Sequence, residues 1–443
     1  MTTTRYEDIM ASCSRQNEDA LAAAFAAAAA AVRSELPATS DRDVAIRDVA
    51  TGAAGPAFIA FLLWIETHCT DLARLCFLSR DGQVLYELAH RLHTPGLARV
   101  ELRYLYSSRR TWNLAASDPD NLAAERWLYG SFMHANATDL CARLGLDARD
   151  FGTELDAAGV ACHPDARADD PRQAGALARF VSNPVVKEAV RARIQGLDDL
   201  VVAYACHEGV PHSDTGLIDV GWTGKMLAAL YRLLRRGGHD LPRSFFWGYE
   251  PQVKPQPVPK LHAWLYDSRE PDTMARHVAE APYVIETFSM ADHGLVTGYE
   301  TDPSGRVHAI LATRDNPAAA EWGIATYRRY LYAFADALEL PPNHAEMETR
   351  PLIQQLVSTF WQRPTLIEAE VWGTYVWDSD PTGTAARPLA RPFDPTDITR
   401  TAGHETPRRG DRAWVAGSLA LSGATPHQNV KGFNHTTSVE EAI

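Results

Sequence analysis

Three short apolar runs constrain this chain more than any other feature. Each is broken off by a polar or glycine-rich signature. Leu75-Cys76-Phe77-Leu78 runs into Ser79-Arg80-Asp81-Gly82, after which Val84, Leu85, Leu88, Ala89 and Leu92 recur at helical spacing. Glu101–Tyr106 runs into Ser107-Ser108-Arg109-Arg110. Gly216-Leu217-Ile218-Asp219-Val220 runs into Gly221-Trp222-Thr223-Gly224-Lys225, with a helix expected over Met226–Arg236. Arg243–Tyr249 is a fourth, aromatic-rich strand. Strands alternating with helices predict an α/β fold on a parallel sheet with helices on both faces.

Around that core the chain divides by composition. Residues 1–50 read as an N-terminal helical segment, alanine-rich over 15–35 and therefore of high helix propensity. The α/β core spans 51–250. It opens with a buried helix over 53–68 with Pro56 in its first turn, and carries a helical insertion at about 115–200. Pro251–Pro259 is an extended connection. An α+β C-terminal part follows over 251–380, with a hairpin expected across Leu295–Leu311 and helices over 316–372. The tail, 381–443, is expected to wrap the surface or to be partly mobile.

Composition removes several function classes. Forty-three Lys and Arg against 56 Asp and Glu leave a net charge of −13, which argues against general nucleic-acid binding but leaves room for a local anion site. The 6 cysteines form no CxxC pair and read as free thiols in a reducing cytoplasm. The first residues show no apolar signal region, and the alanine-rich Leu21–Val32 is too short to span a bilayer. A cytoplasmic protein with no membrane partner is expected.

In an open parallel sheet, ligands bind at the carboxyl ends of the strands. The three signatures should therefore converge on one crevice. Hydroxyls, guanidinium groups and helix N-termini together suit a tetrahedral oxyanion. Ser79, Arg80, Ser107, Ser108, Arg109 and Lys225 are the expected oxyanion ligands. Trp222 either walls the pocket or plugs the sheet edge. Trp361, Trp372 and Trp377 read as core or interface aromatics.

FLSRDGQVLYEL resembles the first motif of the haloacid dehalogenase-like superfamily, DxDGT after a strand. YLYSSRR sits where the second motif's Ser or Thr would follow a strand, and LIDVGWTGK where the acidic fourth motif would lie. With IETFSMADHGLVTGY, these segments are similar to a degenerate branch of that superfamily found beside glycosyltransferases in polysaccharide gene clusters. The likeness covers roughly residues 45–380 and implies a haloacid dehalogenase-like, Rossmann-like sheet. The departure is chemical. Ser79 stands where the superfamily has its nucleophilic Asp, while the acid/base Asp is kept as Asp81. A phosphoaspartate cannot form on Ser79, and Mg²⁺ loses a ligand, so neither a metal nor another cofactor is expected.

The chain is also similar to the larger component of aziridine-forming enzymes of azinomycin- and vazabitide-type pathways. That likeness implies a lyase that eliminates sulfate, or phosphate, as a substrate amine attacks intramolecularly. Arg80 and Arg109 would hold the departing anion, while Asp81, Asp219 and Glu286 would bind and deprotonate the amine. It implies as partners a small-molecule substrate presented by an amino-group carrier protein, and a small companion subunit. Two alternatives stand beside it. One is a phosphohydrolase in which Asp81 itself attacks with Mg²⁺ present. The other is a non-catalytic, partner-binding subunit.

Overall fold

The computed structural model describes residues 3–17, 19–129, 136–160, 171–250, 258, 260–270, 281–377, 387–393 and 413–423. Its centre is a five-stranded sheet of β1 (Arg74–Leu78), β2 (Glu101–Leu105), β3 (Thr215–Trp222), β4 (Arg243–Tyr249) and β5 (Leu261–Asp267). The strand order is β2-β1-β3-β4-β5, and every neighbouring pair is parallel. A parallel sheet covered on both faces favours near-continuous apolar runs, as in Leu75–Leu78 of β1 and Phe245–Tyr249 of β4, which are buried throughout, while the edge strand β2 keeps Glu101 and Arg103.

Alternate side chains feed two cores. Leu75, Phe77, Ile218, Val220, Phe245 and Trp247 enter one; Cys76, Leu78, Leu217 and Phe246 enter the other. The first is covered by helices Gly55–His68, Gly82–Arg91, Ile324–Asp336 and Arg350–Gln362. The second is covered by helices Arg109–Ala116, Leu197–His207 and Lys225–Arg236. The last shows why such a sequence forms a surface helix. Leu227, Leu230, Tyr231 and Leu234 are buried at positions i, i+3, i+4 and i+7, and Arg235 and Arg236 are exposed at its end. Between β2 and β3 the helical insertion builds a third core from Leu122, Leu128, Leu140, Leu144, Leu177, Phe180 and Val190.

The molecule departs from the expected division in three places. The N-terminal helices Arg5–Asn17, Ala20–Glu35 and Asp41–Val49 are part of the first core, with Tyr6, Phe25 and Ile46 fully covered. Asp41–Val49 runs on through a π-helical turn, Ala50–Ala54, into Gly55–His68. Gly52 allows the close approach there, since a Cβ at that position would lie 2.5 Å from the Tyr6 side chain. This continuous helix, Asp41–His68, is long and apolar enough to cross a membrane, but 89% of its most apolar window is buried inside the protein.

The sheet also runs past residue 250, since β5 is its fifth strand. The expected hairpin is present as β6 (Val296–Thr301) and β7 (Val307–Leu311), antiparallel around a Pro-Ser-Gly turn. Finally, the described pieces of the tail lie in the core. Trp414 is fully buried, stacks on Trp361 at 5.1 Å, and donates from its indole nitrogen to the Trp361 carbonyl at 2.7 Å. The rest of the tail, most of the Pro-rich connection and the loop at 161–170 fall outside the described residues. Cys13, Cys69, Cys76 and Cys206 are free thiols.

Candidate active site

In a sheet of order 2-1-3-4-5 the connections from β1 and β3 diverge, and the crevice at their carboxyl ends is where such folds bind ligands. β1 ends in Ser79-Arg80-Asp81, its neighbour β2 ends in Ser107-Ser108-Arg109, and Asp219 stands near the end of β3 on the other side. All three signatures therefore open at one end of the sheet, as the sequence predicts.

The serines do different work from that expected. The Ser79 hydroxyl accepts from the Ser107 backbone N–H at 2.7 Å and donates to the Ser107 carbonyl at 2.9 Å. The Ser107 hydroxyl donates to the Ser79 carbonyl at 2.8 Å. Both hydroxyl protons are thus spent on backbone, and the pair splices two loops instead of gripping an oxyanion. Ser108 caps its helix by accepting from the Thr111 N–H at 3.3 Å. Ser79→Ala strips a buried N–H and a buried carbonyl of their partners. It is expected to cost about 2–3 kcal/mol of stability in urea unfolding.

Trp222 ends β3, the central strand of the sheet, so it does not plug a sheet edge. It is buried with φ 74, and a Cβ on Gly248 would lie 2.7 Å from its ring. Lys225 opens the next helix behind Gly224.

Those carboxylates are Asp81, Asp219 and Glu286. Burial pushes Asp219 up to about 7. The charge of Asp81 adds to the rise, while the Gly221 N–H and Arg109 oppose it. Burial also pushes Glu286 up to about 7 against the pull of Arg109, with Asp81 adding to the rise. Trp377 donates its indole N–H to Glu286 Oε2 at 3.2 Å. Asp81 is raised by burial and held back by Arg109, Arg80 and the Ser289 hydroxyl, which donates to Oδ1 at 3.3 Å. Arg80 and Arg109 thus bear on this cluster, yet neither guanidinium is hydrogen-bonded among the described residues. Their fixed forks of N–H donors stay open to a ligand.

A second layer holds the segment bearing Ser289 against the Asp81 loop. Gln83 donates to Asp292 at 2.7 Å, and Arg328 donates to both Asp292 and Gln83 at 2.7 Å. His293 Nδ1 faces the Gly294 carbonyl at 2.8 Å and must donate to it, so Nε2 accepts from the Tyr104 hydroxyl at 2.6 Å. Burial lowers His293 and keeps this pair neutral. Tyr104 in turn lies near Asp81 and Arg80.

Sequence reasoning missed Ser289, His293, Tyr104 and Trp377. The first two lie inside the segment that brought in Glu286, and that segment was the available signal. Trp377 belongs to the site and not only to the core. Among the described residues, no group of three or more His, Cys, Asp or Glu side chains is placed to hold a metal ion. The sequence matches no known protein family, and no curated protein matches it significantly.

Proposed function

We propose that the chain is a small-molecule enzyme that expels sulfate or phosphate from a compound carrying a basic amine, closing an aziridine ring. One observation carries this reading. Two guanidinium groups with unspent donors face three carboxylates, two of which titrate near neutrality. Arg80 and Arg109 suit the planar, multi-oxygen face of a departing sulfate or phosphate. A carboxylate with a pKa near 7 is matched to taking a proton from an ammonium at neutral pH. In the reaction the amine nitrogen forms a bond to carbon as the carbon–oxygen bond breaks. The electron pair leaves with the anion, and the nitrogen's proton passes to Asp219 or Glu286. Nucleophile and leaving group belong to one molecule, so the protein's task is alignment and charge stabilisation.

The likeness to aziridine-forming enzymes supports the ring closure, a carrier-bound substrate and a companion subunit. The strand-end placement of Asp81 and Asp219 also supports the haloacid dehalogenase-like assignment. That placement equally favours the second reading, a phosphohydrolase with Asp81 as nucleophile. Two experiments separate them. The chain is incubated with O-sulfo and O-phospho esters of 2-amino alcohols, and released anion is measured by ion chromatography. Release with loss of the primary amine and formation of a ring product lighter by the elements of the acid supports cyclisation, and release of neither anion sinks both enzyme readings. The same assay in EDTA is expected to retain full activity. Loss in EDTA with recovery on adding Mg²⁺ favours the phosphohydrolase.

A further inference from the structure

Arg110 follows Arg109 in the helix that opens the crevice, and successive helical residues point about 100° apart. Arg110 turns toward the helical insertion. There it meets Arg193, in the last turn of helix Pro184–Ile194. Both converge on Gly145. A Cβ built on that glycine would lie 3.6 Å from Arg110 Nη2 and 3.9 Å from Arg193 Cγ. Gly145 has φ 73, the left-handed region that favours glycine, and so adds no side chain beside the two arginines.

Among the described residues no carboxylate answers this pair, neither guanidinium makes an ion pair or hydrogen bond, and Arg193 is the one charged group that bears on Arg110. Several other arginines around the insertion do find partners. Arg191 pairs with Asp120 at 2.8 Å and Arg232 with Glu125 at 3.4 Å. Arg143 and Arg236 donate to the carbonyls of Leu128 and Ala116. In a chain with 56 acidic against 43 basic residues, counter-charges are plentiful. Arg110 is half-buried and Arg193 exposed, and their like charges oppose each other, which an anion bound between them would relieve.

We propose that Arg110 and Arg193 form a second anion site, on the seam between the sheet core and the helical insertion. It holds a phosphate group carried at the far end of the molecule whose leaving group sits at Arg80 and Arg109. The shared-molecule part rests on the function proposed above. A phosphate suits the pair better than a carboxylate, because its second negative charge neutralises both cations and its oxygens serve both forks.

The test is calorimetric titration of the full chain, first with inorganic phosphate. Wild type should show two binding events. Arg110→Gln with Arg193→Gln should weaken one of them about tenfold or more, and Arg80→Gln with Arg109→Gln should remove the other. Unchanged binding in the Arg110/Arg193 variant overturns the second site and leaves the crevice reading standing. Unchanged binding in the Arg80/Arg109 variant removes the crevice reading and leaves the second site standing.

A second arm uses α,ω-alkane bisphosphates of increasing length. At a matching length, affinity should exceed that for inorganic phosphate by about tenfold or more, and each double variant should lose the gain. No gain at any length means the pair takes free phosphate, which overturns the shared molecule. Thermal unfolding without phosphate guards against a merely structural role. Arg193→Gln relieves repulsion and should leave the midpoint unchanged or raised, whereas a lowered midpoint overturns the proposal.

Discussion

Arg80→Ala and Arg109→Ala are each expected to lower kcat by about 10²–10³-fold, or roughly 3–4 kcal/mol of transition-state stabilisation. The reason is in the hydrogen-bond inventory. Both guanidiniums bear on the carboxylates without bonding to them, so their donors are unspent and free to take the leaving oxygens. Negative charge on the leaving oxygens grows as the ester bond breaks, so the loss should fall on kcat more than on KM. Lysine keeps the charge but not the fork, and Arg→Lys should recover only part of the rate.

The same substitution has a second consequence. Arg109 opposes the upward shift of Asp81, Asp219 and Glu286. Its removal should move the pH–rate profile to higher pH, which a purely structural arginine would not do. Steady-state kinetics from pH 5 to pH 9, with folding checked by circular dichroism, measures both effects. If kcat stays within about threefold of wild type in both variants, the crevice is not catalytic and the partner-binding reading takes over.

What was legible in the sequence was local. The Arg243–Tyr249 strand, the hairpin around its Pro-Ser-Gly turn and the three strand-end signatures each rest on a few consecutive residues, and each lies where its pattern predicts. Arg80, Asp81, Arg109 and Asp219 were readable for the same reason, since a residue at the carboxyl end of a parallel strand has only one crevice to face. Pairings across the chain were not. Trp377 meets Glu286 across 91 residues and Tyr104 meets His293 across 189, and no periodicity encodes such contacts. Ser79 misled by its type. A hydroxyl at a strand end suits an oxyanion, but two neighbouring loop backbones offered it a nearer donor and acceptor. The alanine-rich N-terminus announced a helix without saying which surface would cover it. The proline-rich connection resembled a boundary although the sheet continues beyond it.

Asp219→Asn is expected to make the protein more stable at pH 8 while abolishing most of its activity. Burial raises the carboxyl from its ordinary 3.8 to about 7 in the folded state. Between those values the folded protein holds a proton that the unfolded chain has released, so stability falls as pH rises from about 4 to about 7. Above pH 7 the penalty is fully present. A shift of about 3 units corresponds to about 4 kcal/mol. Part of that belongs to the neighbouring Asp81 charge and part is relieved by water reaching the half-buried side chain, so about 2–3 kcal/mol should be recovered.

Asparagine removes the charge and keeps an oxygen for the Gly221 N–H. In urea unfolding the gain should be clear at pH 8 and absent near pH 4, where the aspartate is largely protonated when folded. In the wild type, kcat should climb with pH up to about 7 and then level off, as the base loses its proton. The variant should lose about 10²-fold or more in kcat, with Glu286→Gln behaving alike if the two carboxylates share the proton. A carboxylate whose removal stabilises the fold has been retained for chemistry and not for architecture. Destabilisation of Asp219→Asn by more than about 1 kcal/mol at pH 8 would instead make Asp219 a structural partner of Arg109. Proton transfer would then fall to Glu286 alone.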